Sequence, residues 1–407
     1  MPYRETETSK SASPAFPQCG ILDAKFNGNR RDRPAIRNML YLSMTDSVTH
    51  PSRRTILRVA AVITAGISTP ALRPQSDNIA AYRTPYKYPH LVLGATHSKG
   101  DFDENSVDDP IVFRANGEFN MLYIGFDGTG YQTGLATSPD LLHWTRKALV
   151  GPRDPASKYT KYNLALSSIL RDKNLHGKGE AIKIGGRYLA AWNAYPGAGY
   201  EEGAAVIGLA WSYDLLHWEL TEPILFPHDG APWEHGGLYR PDLLVDNGTY
   251  YLYYNAKTDT LSKSEGGGWH EQSGVATSRD LKNWTRYPGN PILPVGSQQS
   301  NARDARFASN PYVVKNGYEF AMYYFGFGYQ RTGRACEMLA LSRDPFHFTK
   351  APDILIDTGP AGTIDETFAH KPSVIFHSGV LYHFYCAVSG KWPNEIRGIA
   401  VARSKPW

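Results

Sequence analysis

Asp109, Glu180 and Asp242 stand beside the cations Lys178, Arg240 and Lys371 at corresponding places of a recurring segment, and these residue types together suit bond cleavage. The segments read DPIVFRANG from Asp109, KGEAIKIGG from Lys178, RPDLLVDNG from Arg240, NPYVVKNG from Asn310 and KPSVIFHSG from Lys371. Aligned on Pro, or on Gly179 in the second copy, the residue before is Asp109, Lys178, Arg240, Asn310 or Lys371, and the residue after is Ile111, Glu180, Asp242, Tyr312 or Ser373. Residues two apart on a strand share a face, so the alignment predicts one polar face of carboxylates and cations. Two carboxyls on opposite sides of a glycosidic bond can cleave it, one protonating the leaving oxygen while the other acts on water or as nucleophile. Neighbouring charges then keep one carboxyl protonated and the other ionised. Asp109, next to cations, is expected to stay ionised and to act as base. The same face also reads as a wet channel lined by ion pairs.

Five copies of a second pattern define the elements that must hold this face: GLATSPDLLHW from Gly134, GLAWSYDLLHW from Gly208, GVATSRDLKNW from Gly274, MLALSRDPFHF from Met338 and GIAVARSKPW from Gly398. Their starts lie 74, 66, 64 and 60 residues apart, longer than the ~40 to 50 of compact propeller blades, so each unit also carries long loops. Each unit reads as strand, Gly hairpin, aromatic strand, turn, strand, and then a fourth run such as KALVGP, EPILFP, NPILPV or PDILID. Such units bury their faces only by stacking, which predicts an all-β, five-bladed β-propeller of four-stranded antiparallel blades around a central channel. The fifth unit ends at Trp407 one strand short, and PHLVLGA (89–95) is the segment expected to close the ring. The repeated Ser, Asp, Leu and Trp read as turn caps and inter-sheet plugs, so chemistry is expected where units differ.

Residues 1–88 carry 13 Lys/Arg against 6 Asp/Glu, or +7, while 89–407 carries 30 against 33, or −3. The body is close to neutral, which gives nucleic-acid binding no support. Arg53-Arg54 ahead of the apolar run VAAVITAGISTPAL (59–72) resembles a twin-arginine export signal, and the run is too short for the ~20 residues of a membrane span. Residues 1–88 are therefore expected to be an extension bearing a signal at about 52–72, removed or disordered, and 89–407 a periplasmic or secreted domain. Met44 would place that signal at a chain start, making residues 1–43 an overextended frame. Cys336 and Cys386 fall on predicted strands of adjacent units and read as buried free thiols, and Cys19 lies in the extension. No GxSxG elbow, Walker loop or strand-linked GxGxxG occurs, so serine hydrolase, NTPase and dinucleotide chemistry are unsupported.

Five units, an opening Asp-Pro and hairpins leading to S-x-D-L-x-x-W resemble the propeller glycosidases of glycoside hydrolase family 43, with relatives in families 32, 117 and 130, over about 89–407. The resemblance implies that Asp109 is base or nucleophile and that units two and three supply further acids. Glu180 and Asp242 are the nearest matches, and Glu234 in PWEHGGLYRPD is the Glu close upstream of Pro241, so the acid stays open among these three. His370 resembles the family's channel histidine, which binds metal or substrate. Lys178, Arg240 and Lys371 suit recognition of a uronate, a sulfate or, as in family 130, a phosphate. Trp192 and Tyr239 suit stacking on sugar faces. The resemblance implies an inverting, exo-acting glycosidase of plant or algal oligosaccharides, which needs no cofactor and is compatible with a structural calcium in the channel. A glycoside phosphorylase and a non-catalytic sugar-binding propeller are the rival readings.

Overall fold

The computed structural model describes residues 79–407 except 262–266, 330–333 and 392–393. Arg53-Arg54, the run 59–72 and Cys19 lie outside the described residues. The described body is all-β apart from short 3-10 turns, and no helix in it is long and apolar enough to cross a membrane.

A 3-10 turn, Ile79–Tyr82, leads to β1 (Tyr86–Lys87). Next come β2 (Ser106–Ala115), β3 (Glu118–Phe126), β4 (Tyr131–Ser138) and β5 (Thr145–Gly151), an antiparallel meander. The second unit is β6 (Ala165–Ile169), β7 (Lys183–Ile184), β8 (Arg187–Ala194), β9 (Val206–Ser212) and β10 (Glu219–Leu225). The third is β11 (Gly237–Asp246), β12 (Thr249–Lys257), β13 (Glu271–Ser278) and the stub β14 (Thr285–Arg286). The expected fourth strand there, NPILPV, makes only the Ser273–Leu293 bridge. The fourth unit is β15 (Phe307–Asn316), β16 (Glu319–Phe327), β17 (Ala335–Ser342) and β18 (Thr349–Ile356), and the last is β19 (Phe368–His377), β20 (Val380–Ser389) and β21 (Ile396–Arg403). β1 pairs antiparallel with β21, and the Val92 amide donates to the Ile399 carbonyl.

The core lies between units. Phe113 and Leu122 pack with Leu166 and Trp192, Leu189 and Ile207 with Leu243 and Leu252, and Val275 with Val313 and Met322. Tyr312 and Leu339 pack with Val374 and Leu381, and Val112 and Met121 of the first unit pack with Phe384 and Val401 of the last. Each sheet is apolar on both faces because both are covered by neighbours.

The S-x-D-L-x-x-W turns behave as the repeat suggests. In the first, Ser138 Oγ accepts the Leu141 amide at 2.9 Å, Asp140 Oδ1 accepts the Leu142 and His143 amides, and Trp144 Nε1 donates to the Leu141 carbonyl. The second and third copies repeat these bonds, and Leu141, Leu215 and Leu281 all adopt positive φ.

A second recurring device ties the inner loop of a unit to its outer strand. In four units a buried carboxylate accepts a hydroxyl from the tyrosine twenty positions later, Asp103 from Tyr123, Glu234 from Tyr254, Asp304 from Tyr324 and Asp365 from Tyr385, at 2.9 to 3.1 Å. Each also pairs with a cation of the outermost strand: Arg146 at 2.7 Å, Arg286 at 2.7 Å, Lys350 at 2.6 Å and Lys87 at 2.5 Å. Lys87 comes from β1, so the chain before residue 89 plays the outer-strand part in the last unit. Tyr82 is fully buried and donates to Glu319 at 2.7 Å. Among the described residues, packing onto the body thus extends back to Ile79.

Candidate functional site

Four inner strands carry a bulge at the residue before Pro. Register breaks fall between Asp108 and Ile111, Tyr239 and Asp242, Ser309 and Tyr312, and His370 and Ser373. Asp109, Arg240, Asn310 and Lys371 occupy these bulges with φ of 49 to 65°. Pro has no amide to leave unpaired there, and a bulge re-aims the side chain it contains. The bulge also cancels the period of two. The residues after Pro therefore do not join those before it: Asp242 Oδ2 accepts the Val313 amide at 2.8 Å and Ser373 Oγ accepts the Val112 amide at 3.0 Å, each pinning the neighbouring inner strand. Asp242 also holds Lys173 at 2.5 Å, buried on both sides.

In the second unit the inner strand is β6, not the segment from Lys178. Its bulge lies between Leu166 and Ser168 and carries no Pro, which is why an alignment on Pro or Gly passed over it. Lys178 is exposed and Glu180 pairs with Arg114 at 3.3 Å. Arg114 lies five residues along β2 from Asp109, roughly 15 Å at the rise of a strand. Glycosidase carboxyls work within ~9.5 Å of each other, so Glu180 cannot share a bond with Asp109. Glu234 belongs to the recurring carboxylate device. Trp192 replaces the tyrosine of that device, 1 % exposed and packed over Gly208, where a Cβ would lie 2.3 Å from its ring. These residues are part of the frame.

The bulges instead gather a different set at one end of the inner strands. Asp109 meets Arg240 at 2.7 Å and Ser167 Oγ at 3.2 Å, and Ser167 donates to Asn193 at 2.8 Å. Arg240 also donates to the Ser167 and Pro372 carbonyls. Asp109 is 5 % exposed, and burial pushes its carboxyl up against the opposing pull of Arg240 and Lys371. Beside it, Asp108 holds Lys371 at 2.6 Å and Arg397 at 2.9 Å. Burial alone would raise Asp108, but these two cations hold it well below the usual carboxylate range.

Above this floor stand Glu201, on the loop from β8 to β9, and Glu271, the first residue of β13. Tyr200 stacks on Phe126 at 3.7 Å and the carbonyl of the next residue, Glu201, accepts Lys257 Nζ at 3.2 Å, so the loop is held from both sides at this point. Burial raises the Glu201 carboxyl. Lys257 and Lys371 oppose the shift, and the negative Glu271 and Asp108 add to it. Glu271 accepts Ser309 Oγ at 2.6 Å, Trp269 Nε1 at 2.9 Å and Asn255 Nδ2 at 3.2 Å. Tyr239 lies at this mouth, its phenol pushed up by burial and by the adjacent Glu271, and Lys257 sits 5.3 and 5.7 Å from the Tyr195 and Tyr239 rings. Of the sequence candidates, Asp109, Arg240, Lys371, His370 and Tyr239 come together here, while Lys178, Glu180, Asp242, Glu234 and Trp192 do not.

His370 Nδ1 donates to the Cys386 carbonyl at 3.1 Å, and burial holds the imidazole down to about 3. Asp108, His370 and Cys386 bring ligand atoms within 4.8 Å of one another. Calcium takes six to eight oxygens. This cluster offers one carboxylate already facing two cations, an imidazole and a thiol, and does not fit that ion. Cys336 and Cys386 are buried free thiols.

The model of the glycosyl hydrolases family 32 N-terminal domain matches residues 180–385, a span that contains Glu201, Glu271 and His370 and begins after Asp109. The solved structure of a BT0996 RGII complex is 32% identical with a TM-score of 0.69, covering 81% of this protein and 94% of that one. A thermostable family-43 glycoside hydrolase, 15% identical with a TM-score of 0.51, covers 75% of this protein and 91% of its own length and shows likeness of fold. Among curated proteins, the 1,2-beta-oligomannan phosphorylase of Thermoanaerobacter sp. (strain X514) is 28% identical over 160 residues. That match takes in 38% of this protein and 44% of the phosphorylase, so the likeness spans less than half of that relative's length.

Proposed function

The chain belongs to the family of the glycosyl hydrolases family 32 N-terminal domain and is a glycoside hydrolase by that membership; from this premise we propose an exported, exo-acting, inverting glycosidase of plant oligosaccharides, of the kind suggested by the RGII complex of its 32% identical relative. In this reading the five stacked units form a five-bladed ring that β1 and Val92 close against β21. The observation that carries the function is the convergence of Asp109, Glu201 and Glu271, all of which act on the buried Tyr195 phenol.

Glu201, whose carboxyl burial shifts toward the protonated form, is the acid. It gives its proton to the glycosidic oxygen as the bond from the anomeric carbon to that oxygen breaks. Glu271, aimed by Ser309, Asn255 and Trp269, takes the proton of a water whose oxygen forms the new bond to that carbon from the opposite face. Inversion places these carboxyls ~6.5 to 9.5 Å apart around the bound sugar. Asp109 fixes Arg240 on the floor, where the pair can bind sugar hydroxyls, and Tyr239 and Tyr195 provide apolar surface for a ring.

Phosphorolysis is the second reading, favoured by the curated relative and by the cations of the mouth. Those cations are largely engaged: Arg240 with Asp109, and Lys371 and Arg397 with Asp108. A site already neutralised is poorly disposed toward a dianion, which favours water. The test is release of monosaccharide from aryl glycosides and plant oligosaccharides by residues 79–407, with and without phosphate. Hydrolysis independent of phosphate supports the proposal, strict phosphate dependence supports the phosphorylase, and binding without turnover supports the sugar-binding propeller.

A further inference from the structure

Within the repeat, the second unit departs from the others at four positions that come together on the surface. Trp211 stands where three of the other copies have Thr137, Thr277 and Leu341, and Tyr213 where they have Pro139, Arg279 and Arg343. By strand register, Arg187 replaces Glu118, Thr249, Glu319 and Val380, and Glu219 replaces Thr145, Thr285 and Thr349. Trp211 is paired with Leu189 on one side and Glu219 on the other, so these side chains lie on one face at the outer end of β8, β9 and β10. The turn itself does not require any of them, since three other turns of the same shape form without them.

Together they build a hollow of about 240 Å³, completed by His217 and Trp218. Arg187 sits 4.8 Å from the Trp211 ring and 5.8 Å from the Tyr213 ring and is held by Glu219 at 3.1 Å. The guanidinium stiffens both rings, while Tyr213 remains 72% exposed. An exposed tyrosine and two half-buried tryptophans next to a mutually neutralised pair of ions suit an occupant with apolar C–H faces and many hydroxyls, and carry no preference for a charged one. Pockets that enclose a small ligand run ~300 to 1,000 Å³, so a hollow of this size takes one ring of a longer chain.

We propose that Trp211, Tyr213, Arg187 and Glu219 form a second, non-catalytic site for a neutral segment of a glycan chain. The inference rests on the glycosidase reading for the class of its ligand. Arg187 is six residues along β8 from Asn193, which touches the floor of the mouth, so the two sites lie roughly 20 Å apart along the strand. The second site therefore anchors a polymer and leaves turnover of short substrates untouched.

The experiment is affinity electrophoresis of residues 79–407 in gels containing soluble arabinan, arabinoxylan or galactan, with wild type, Tyr213→Ala, Trp211→Ala/Tyr213→Ala and Glu201→Gln. Tyr213→Ala changes an exposed ring and keeps the test informative if loss of Trp211 harms folding. Retardation by at least one polymer in wild type and Glu201→Gln, weakened at least tenfold in the Tyr213 variants, is the expected result, with turnover of short oligosaccharides unchanged in Tyr213→Ala. Retardation that the Tyr213 variants retain, or none with any polymer, overturns the site. Retardation that depends on Tyr213 in a protein that hydrolyses no glycoside upholds the site and overturns the glycosidase reading instead.

Discussion

Replacing Glu234 by Gln separates a framework role from a catalytic one. Glu234 is 1% exposed and accepts Arg286 Nε at 2.7 Å and the Tyr254 hydroxyl at 2.9 Å. Gln keeps the shape but offers a single acceptor: with its carbonyl toward Arg286 that bond loses its opposing charge, and its NH2 then donates to the Tyr254 hydroxyl, which must turn its own proton away. Hydrogen bonds to charged groups contribute ~1.5 to 3 kcal/mol. Arg286 retains the Phe226 carbonyl at 2.7 Å and a side chain 22% open to water, so the larger ~3 to 5 kcal/mol cost of stranding a buried charge does not arise. The expected loss is ~2 kcal/mol, near the middle of the hydrogen-bond range. Urea unfolding followed by tryptophan fluorescence should show a lower midpoint with an unchanged slope. Turnover per folded molecule should stay within about twofold of wild type, whereas loss of a general acid costs ~10²- to 10⁴-fold. A loss of that size with an unchanged midpoint would refute the framework assignment.

A chain starting at residue 89 lacks Tyr82 and the Lys87–Asp365 pair and uncovers the edge of β21; it should aggregate on heating and unfold at lower temperature than one starting at residue 79, and equal melting curves would count against closure by β1. Glu337 is fully buried, neither of its oxygens has a hydrogen-bond partner among the described residues, and burial raises its carboxyl well above the ordinary value. Its folded form therefore keeps a proton that the unfolded chain releases above about pH 4.3, so stability is present below that pH and is lost as pH rises through the raised value. Glu337→Gln should match wild type in melting temperature near pH 4 and exceed it increasingly toward pH 8; parallel curves would contradict the linkage.

The fold was legible because its signals repeat. The S-x-D-L-x-x-W turns, Gly hairpins and aromatic second strands recur at similar offsets, and the likeness to family 43, 117 and 130 enzymes follows from them. The inner-strand site was only half legible. The residues before Pro differ between units and lie in the bulges, yet the bulges that aim Asp109, Arg240 and Lys371 also break the alternation that would add Asp242. The second inner strand, ALSSI, has no Pro to mark it, and the hairpin segment from Lys178 imitated it. Glu271, Glu337 and Arg397 stand one or three residues before the third-strand copies, where the other units have Tyr131, Thr133 or Ser273. The same comparison between units, applied to that strand, finds them. Glu201 lies on a loop with no counterpart, and only the folded protein brings it over Lys257 and Lys371.

The central claim is that Glu201 donates the proton and Glu271 activates the water. The direct measurement is the leaving-group dependence of kcat for aryl glycosides of the cognate sugar, in wild type and in Glu201→Gln, Glu271→Gln and Asp109→Asn. A leaving group of low pKa departs without a proton, so Glu201→Gln should recover most of its activity on a dinitrophenyl glycoside while remaining ~10²- to 10⁴-fold impaired on a poor leaving group. Its alkaline limb, where wild type loses activity as Glu201 ionises, should vanish on the activated substrate. Glu271→Gln should stay impaired on both. Full activity of Glu201→Gln on poor leaving groups, or loss on both substrates from Asp109→Asn with Glu271→Gln unaffected, would contradict the account.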